Sequence, residues 1–298
     1  MNEICLQTEK IKKRFGGVHA LREGTIEIRS GEVLALVGSN GSGKSTLVKI
    51  ITGVLSPDDG NITFHNNLVQ YNHPMAAQKA GIMAVYQELS LVPSLTVAQN
   101  IWLANEPIQK SGFVDDKQMI DKTYELLKLF EGTYQSSLYP EAFIHTLPPD
   151  EKQIVEILKA ISRKPEILIM DEATASLDSA QVRCFFSLIS QLRNEGKGLV
   201  FVSHRMDEIF QIADKAVVLR NGTTVGEVAI SETSEGEIVY MMVGSEAEVV
   251  KEPAYLNNLS KTEVVLDAVD IRNEKLDGVS FSVNQGELVG IGGLRGQG

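Results

Sequence analysis

The sequence predicts an α/β fold with a central parallel sheet, and two observations lead to that prediction. Apolar strand patterns recur along the chain, and each ends in glycine or polar residues: residues 33–37 before Gly38, 167–170 before Asp171 and 199–202 before Ser203. Amphipathic helix patterns lie between them. Buried strands of this kind belong to parallel sheets, in which ligands bind at the carboxyl ends of the strands.

A glycine-rich stretch follows the first of these strands and has the spacing of a phosphate-binding P-loop. Its glycines tolerate unusual backbone angles and leave N–H groups open to phosphate oxygens. We expect Lys44 to reach the β- and γ-phosphates and Ser45 to place its hydroxyl on Mg²⁺. The complete spacing between a strand and a helix argues against an ordinary glycine-rich turn. The predicted nucleotide-binding residues are Gly38, Ser39, Asn40, Gly41, Ser42, Gly43, Lys44, Ser45 and Thr46.

A helix is expected directly after the loop, because Leu47, Ile50, Ile51 and Val54 share one helical face. Its positive end would then face the phosphates. The turn-forming residues 56–60 are expected to end this helix.

Two polar positions follow further predicted strands. Gln87 leaves the strand at 81–86, and Asp171 and Glu172 follow the strand at 167–170. Beside a P-loop, Gln87 could reach the metal or its water, Asp171 would hold Mg²⁺, and Glu172 would orient and deprotonate the attacking water. Taken alone, Gln87 would be structural and the acidic pair a helix cap, but the P-loop upstream favours catalysis.

His204 follows the strand at 199–202. A lone histidine is more often a surface or core residue than a catalyst. At this strand end, however, it would lie near the γ-phosphate and position the water together with Glu172.

The rest of the chain is assigned more coarsely. We expect short strands within residues 4–30, a strand at 61–64 and mostly helical structure from 116 to 150. Further helices are expected over 154–161, 182–192 and 206–210, with a hairpin formed by 216–219 and 223–225 around Asn221-Gly222. The first domain is expected to span residues 1–244, and the polar stretch 245–260 to be a linker.

Composition excludes several classes of protein. The net charge of −11 argues against nucleic acid as a partner, since phosphate backbones are usually met by a basic face. No apolar run approaches the about 18 residues that span a bilayer. Residues 1–10 lack the apolar core of a signal peptide, so a cytoplasmic location is expected. Cys5 and Cys184 have no metal-ligand or redox spacing.

The order and spacing of the P-loop, Gln87, Asp171-Glu172, Ser176-Leu177-Asp178 and His204 resemble those of an ABC-transporter ATPase over residues 4–244. The resemblance implies a P-loop ATPase core, an antiparallel β subdomain carrying Phe15, and a helical subdomain between Gln87 and Asp171. It also implies that Phe15 stacks on the adenine of ATP, although an aromatic residue there could simply be packing.

A finer resemblance concerns residues 87–101 and 153–157, which are similar to the corresponding stretches of bacterial sugar importers of the ribose and galactoside type. It implies an ATPase that drives uptake of a ribose-, galactose- or xylose-like sugar with ATP and Mg²⁺. The partners would be membrane permease subunits and, indirectly, a periplasmic or extracellular sugar-binding protein. The location would be peripheral, on the cytoplasmic face of the bacterial membrane.

One motif departs from the family. The family's signature is Leu-Ser-x-Gly followed by Gln, and it contacts ATP held by an opposing domain; residues 147–153 here read Leu-Pro-Pro-Asp-Glu-Lys-Gln. Pro148 removes a hydroxyl and an N–H donor, and Asp150 would bring negative charge toward phosphate. Both changes weaken anion binding, so we expect an inefficient ATP site at this signature.

The end of the chain repeats its beginning. With an offset of 255, residues 279–298 repeat residues 24–43, with glycines matching at 286, 293, 296 and 298. We expect residues 261–298 to be the start of a second ABC domain, truncated and poorly covered. A tandem protein would pair its own two domains head to tail, whereas this chain alone could form only a homodimer.

Three other functions remain open from the sequence. A soluble ABC ATPase acting on ribosomes or DNA would need a basic surface or coiled-coil insertion, and neither is visible. A P-loop GTPase or small-molecule kinase is a second alternative, but the turn at 176–178 would have no function in such a protein. A nucleotide-binding module with very slow turnover fits the isolated chain, because a homodimer would pair each P-loop with the altered signature.

Overall fold

The computed structural model describes residues 3–244, 263–273 and 276–292. The chain divides into two compact units, residues 1–246 and 247–298. The predicted linker at 245–260 and the repeated glycines at 293, 296 and 298 lie outside the described residues.

The first unit contains one ten-stranded sheet whose strand order is β5-β4-β1-β2-β10-β9-β3-β8-β7-β6. The strands are β1 (Ile4–Phe15), β2 (Val18–Arg29), β3 (Glu32–Val37), β4 (Asp59–Phe64), β5 (Asn67–Val69), β6 (Ile82–Val85), β7 (Ile167–Asp171), β8 (Gly198–Val202), β9 (Lys215–Arg220) and β10 (Thr223–Ala229).

Helices cover both faces of this sheet. They are α1 (Lys44–Ile51), α2 (Pro74–Lys79), α3 (Val97–Trp102), α4 (Asp116–Leu127), α5 (Pro149–Ser162), α6 (Ser179–Asn194), α7 (Met206–Ile212) and α8 (Glu235–Val243), with 3₁₀ turns at Lys128–Phe130, Ile144–Thr146 and Ile230–Glu232.

The parallel part of the sheet confirms the predicted α/β fold. β3 runs parallel to both β8 and β9, β8 to β7, and β7 to β6. Alternate residues of β3 enter two different cores: Val33 and Ala35 pack with the helices from α3 to α7, and Leu34 packs with α1 and the antiparallel strands. A strand buried on both faces explains why its sequence reads as a continuous apolar run.

Two long strands replace the short ones expected near the N-terminus. β1 and β2 are each 12 residues long and pair antiparallel, and β4 lies on the other edge of β1. A positive φ of 49° at Lys10 and the adjacent shift in register let β1 continue through an irregular residue as one long strand.

The prediction of mostly helical structure over 116–150 is wrong for its second half. α4 and the 3₁₀ turn end at Phe130, and residues 131–148 are turns and irregular backbone apart from Ile144–Thr146 and an isolated β-bridge of Phe143 with Thr96. Gly132 adopts a φ of 80°, and Pro140 and Pro148 cannot donate helix hydrogen bonds.

α1 also ends earlier than predicted. Its last residue is Ile51, and Gly53 follows with a φ of 72°, so the backbone leaves the helix before the turn at 56–60. Val54 is therefore 44% exposed rather than part of the helix's buried face.

The second unit, in its described residues, is a hairpin of β11 (Val264–Ile271) and β12 (Val279–Asn284). Its register repeats that of β1 and β2. The pairs Val264↔Asn284, Leu266↔Val283, Asp267↔Ser282, Ala268↔Phe281 and Ile271↔Val279 correspond to Ile4↔Arg29, Leu6↔Ile28, Gln7↔Glu27, Thr8↔Ile26 and Ile11↔Gly24.

The irregular residue within the strand is repeated as well. Asp270 has a φ of 54°, like Lys10 at 49°, and its N–H donates to Ser280 Oγ at 2.9 Å. The N–H of Lys10 donates to Thr25 Oγ1 at 3.0 Å in the same way. The sequence repeat is therefore also a repeat of backbone geometry.

Candidate functional site

The glycine-rich loop between β3 and α1 depends on glycine for two different reasons. A Cβ on Gly38 would lie 2.3 Å from the carbonyl oxygen of Leu219, and one on Gly43 would lie 2.6 Å from that of Ala20. A Cβ on Gly41 would meet nothing within 4 Å, although its φ is 79°. The first two glycines are required by packing, whereas Gly41 borders open space that a ligand can fill.

Lys44 begins α1 and folds back over the loop. Its Nζ donates to the carbonyl of Gly38 at 2.7 Å and to that of Ser39 at 3.2 Å. Burial lowers the pKa of Lys44, and the nearby charges of Asp171 and Glu172 oppose that shift. No side chain caps the N-terminus of α1, so the first turn keeps N–H groups that suit an anion.

Asp171 is the last residue of β7 and is only 7% exposed. Burial raises the pKa of its carboxyl group, as does the neighbouring charge of Glu172, while a hydrogen bond from the side chain of Ser45 and the charge of Lys44 act in the opposite direction. The structure therefore brings the predicted metal ligands Ser45 and Asp171 into direct contact.

Glu172 and His204 face each other across the ends of two neighbouring strands. The N–H of Glu172 donates to the carbonyl of Val202 at 2.9 Å, which fixes the end of β7 against that of β8. Nδ1 of His204 lies 3.3 Å from Oε1 of Glu172. The histidine side chain is 69% exposed and that of the glutamate 25% exposed. Both side chains are therefore accessible to a ligand.

These residues line one open cleft of about 820 Å³. Of the predicted site residues, it is lined by Phe15, Asn40, Gly41, Ser42, Gly43, Lys44, Ser45, Thr46, Gln87, Asp171, Glu172 and His204. Gly38 and Ser39 do not line it, and they act instead through the carbonyls that hold Lys44.

The cleft also contains Val18, His19 and Ala20, which the sequence analysis did not identify. They enter it because Phe15 pairs with Val18 across the tip of the β1–β2 hairpin. The signal in the sequence was the two-residue turn Gly16-Gly17 after Phe15, which predicts that the residues on both sides lie together. Phe15 is 47% exposed, and Nζ of Lys13 lies 5.7 Å from the centre of its ring.

Gln87 follows β6 and lies at the edge of the main cleft. With Ser45 and Asp171 it also lines an adjoining cavity of about 320 Å³. The hydroxyl of Ser42 in the glycine-rich loop is buried, and within the described residues its Oγ makes no hydrogen bond. A phosphate oxygen would satisfy such a hydroxyl.

The altered signature forms the N-terminus of α5. Pro148 is the residue before the helix and Pro149 is its first residue, and no side chain caps this end. The carboxylate of Asp150 accepts a hydrogen bond from Nε2 of Gln181 at 3.1 Å. Pro148 and Pro149 contribute no N–H groups to this helix end, and the carboxylate of Asp150 is bonded to α6.

The metal ligands in this cleft suit Mg²⁺ bound together with a nucleotide better than a metal ion held by protein side chains alone. Among residues 3–244, 263–273 and 276–292 there is no group of three or more histidine, cysteine or acidic residues able to hold a metal ion. Mg²⁺ usually needs only one or two carboxylates together with substrate phosphates, and Asp171 with Ser45 matches that requirement.

Among residues 3–244, 263–273 and 276–292, no helix has the length and apolar character needed to traverse a membrane.

Together, the loop after β3, its lysine and the acidic end of β7 define a P-loop nucleotide-binding protein. The family model described as ABC transporter matches residues 21–175, just over half of the chain. The chain belongs to the ABC transporter family.

Comparison with curated proteins gives a consistent result. The chain is 39% identical over 297 residues to the ribose import ATP-binding protein RbsA 1 of Rhizobium johnstonii, a match that covers 99% of this chain and 57% of that protein. It is 40% identical over 295 residues to the RbsA 1 of Mesorhizobium japonicum, covering 98% of this chain and 56% of that protein. The chain thus spans little more than half the length of these relatives.

Solved structures share the fold. One is the ADP conformation of an ATP-binding cassette of an ABC transporter, with a TM-score of 0.68 and 26% identity over 81% of this chain and 99% of that one. A nucleotide-free ATP-binding cassette of an ABC transporter gives a TM-score of 0.67 and 26% identity, over 82% and 96% of the two chains.

Proposed function

We propose that this chain binds ATP with Mg²⁺ and hydrolyses it slowly when isolated, as the ATP-binding part of an importer for a ribose-, galactose- or xylose-like sugar. The observation that carries the proposal is that Lys44, Asp171, Glu172 and His204 converge in one cleft. These are the cationic, metal-binding and water-orienting groups that phosphoryl transfer to water requires.

Each residue has one task in this proposal. Lys44 exchanges its bonds to the loop carbonyls for the β- and γ-phosphates, and Ser42 donates its unpaired hydroxyl. Ser45, Asp171 and Gln87 would hold Mg²⁺, and the bound ion would offset charge on the phosphates. Glu172 orients and deprotonates the attacking water, and His204 hydrogen-bonds the γ-phosphate. The adenine ring stacks on Phe15 beside Val18.

The sugar and the partners are inferred from the relatives. The two relatives described above are named for ribose import, and a third, from Ralstonia nicotianae and 40% identical, is named a putative ribose/galactose/methyl galactoside import ATP-binding protein. By that relationship we propose permease subunits as the direct partners, a sugar-binding protein outside the membrane as an indirect one, and a peripheral position on the cytoplasmic face.

The slow turnover follows from the signature at α5. We propose that residues 1–244 form one nucleotide-binding domain, that 245–260 link it to a second, and that 261–298 belong to that second domain. In a head-to-tail pair the altered signature would face the second domain's loop. The intact loop of the first domain would then need a signature from outside residues 1–298.

The test combines binding and hydrolysis. Titration calorimetry of the chain with ATP and Mg²⁺ is expected to show one site, and Lys44→Ala is expected to weaken it about 10- to 100-fold, because charge-assisted hydrogen bonds to phosphate are lost. In single-turnover assays, Glu172→Gln is expected to slow hydrolysis about 100-fold while binding stays within about twofold.

Two results would contradict the proposal. One is the absence of MgATP binding to the unmodified chain. The other is rapid multiple turnover by the isolated chain, which would show that the changes at Pro148 and Asp150 do not impair the signature.

A further inference from the structure

We infer that Glu208 is a positioning residue that ties the segment carrying Glu172 to the segment carrying His204. The inference rests on the proposed function, because it concerns the two groups assigned there to the attacking water. Glu208 itself does not line the cleft.

The carboxylate of Glu208 is buried between these segments. Glu208 lies in the first turn of α7 and is 4% exposed. One of its oxygens accepts a hydrogen bond from the hydroxyl of Thr174 at 2.6 Å, and the other pairs with the guanidinium of Arg205. Charge-assisted bonds of this kind are among the strongest in proteins.

Each of these two partners adjoins a catalytic group. Thr174 lies two residues after Glu172, in a turn where the N–H of Ala175 donates to the carbonyl of Glu172 at 3.1 Å. Arg205 directly follows His204, and its N–H donates to Ser203 Oγ at 3.1 Å. One carboxylate therefore joins the backbone segments that carry both groups.

The catalytic pair needs such support for two reasons. Glu172 has a φ of 52°, a conformation that a residue with a side chain keeps only when its surroundings impose it. The side chain of His204 is largely exposed, and within the part of the chain that the structure describes its hydrogen-bonding contact is the 3.3 Å approach to Glu172. With little packing around the ring, its orientation depends on the position of the backbone that carries it.

The test removes one hydroxyl from this network. Thr174→Val deletes the donor to Glu208 at nearly constant volume, and Thr174→Ser restores it. Thr123→Val is the matched control, because Thr123 is also fully buried and its hydroxyl is hydrogen-bonded, to Trp102 and Met119 in the helical region. Glu208→Gln is a second variant of the same network, should Thr174→Val fail to fold.

The first measurement is the NMR signal of the His204 ring in the nucleotide-free chain, assigned with His204→Gln. We expect it to shift in Thr174→Val and Glu208→Gln, to return in Thr174→Ser, and to stay in place in Thr123→Val. The second is single-turnover hydrolysis, expected to slow about tenfold in Thr174→Val with MgATP affinity within about twofold.

An unmoved His204 signal in Thr174→Val overturns the inference, and so does an equal shift in Thr123→Val. A slower hydrolysis that Thr174→Ser does not restore overturns it as well. The NMR comparison needs no nucleotide, so it stands whether or not the chain hydrolyses ATP. Failure of the proposed function is instead detected by the calorimetry with ATP and Mg²⁺.

Discussion

Asp171, which we propose as a ligand of Mg²⁺, carries a charge that opposes the stability of the fold. Its carboxylate is buried at the end of β7 beside Glu172, and both burial and that neighbouring charge raise its pKa. Without a cation, the negative charge at this position is costly, and the hydrogen bond from Ser45 and the charge of Lys44 offset only part of the cost. The Mg²⁺ that we propose at this position would offset the rest.

This predicts that Asp171→Asn stabilises the nucleotide-free chain near neutral pH. A carboxyl group whose pKa is raised in the folded state binds its proton more tightly there than in the unfolded chain. The stability of the folded state therefore falls as the pH rises above about 4, the pKa of an aspartate in the unfolded chain. The advantage of the asparagine variant should therefore be absent near pH 4 and grow toward pH 7. Thermal unfolding across this range measures it.

The exposed Asp121 on α4 supplies the control, since Asp121→Asn should leave the unfolding temperature unchanged at every pH. Asp171→Asn should also lose at least about tenfold in affinity for ATP with Mg²⁺, because a ligand of the cation is removed. If Asp171→Asn were less stable than the unmodified chain at pH 7, the charge of Asp171 would not be destabilising and the prediction would be wrong.

At the scale of elements, the N-terminus of α5 determines what the signature can bind. Two consecutive prolines open it, and the carboxylate of Asp150 bonds to Gln181 of α6. A helix end normally offers its first N–H groups to anions, but proline has no N–H. This end of α5 therefore lacks two N–H groups and carries the carboxylate of Asp150, and both features disfavour a bound anion.

We predict that Pro148→Ser combined with Asp150→Gly raises ATP turnover by the isolated chain at least about tenfold, by restoring a hydroxyl and a neutral backbone for the phosphate of a paired copy. The measurement is steady-state phosphate release as a function of chain concentration. Pro148→Ala with Asp150→Gly is the matched control, since it differs from the first variant only in the hydroxyl and should recover part of the increase. A variant with Pro148→Ser and Asp150→Gly that is no faster than the unmodified chain would refute this account of the signature.

The elements themselves were predictable where the pattern was local. The P-loop, the three apolar strands and the Asn221-Gly222 hairpin could be read directly, because their signals lie within a few residues. The irregular backbone of 131–148 was missed because the helical pattern that ends at Phe130 was extended through Gly132 and Pro140. Val18 and His19 were missed because their place in the cleft depends on the pairing of two strands.

The link through Glu208 was also beyond the sequence. Thr174 and Glu208 are 34 residues apart and lie on different elements, and a glutamate in the first turn of a helix is ordinary in a sequence. Glu208 differs from such a residue because it is buried, and only the packing of α7 against the ends of β7 and β8 reveals that burial. The roles of the site residues remain predictions for the experiments above.

At the scale of the molecule, residues 3–244 contain both cores and every residue of the cleft. In contrast, Val264, Val265 and Leu266 of β11 are each more than half exposed. We predict that a chain of residues 3–244 unfolds within about 2 °C of the full chain and binds ATP with Mg²⁺ within about twofold. Scanning calorimetry and titration calorimetry test this, and aggregation of the shorter chain would contradict it.

The matching registers of the two hairpins have a consequence for the end of the chain. Twelve residues separate Ile11 from Gly24, and they include Phe15, Val18, His19 and Ala20; only seven separate their counterparts Ile271 and Val279, and none is aromatic. The second hairpin therefore repeats the paired strands of the first but not its longer tip. If Phe15 stacks on adenine as we propose, the shorter tip between Ile271 and Val279 has no aromatic side chain for the same contact.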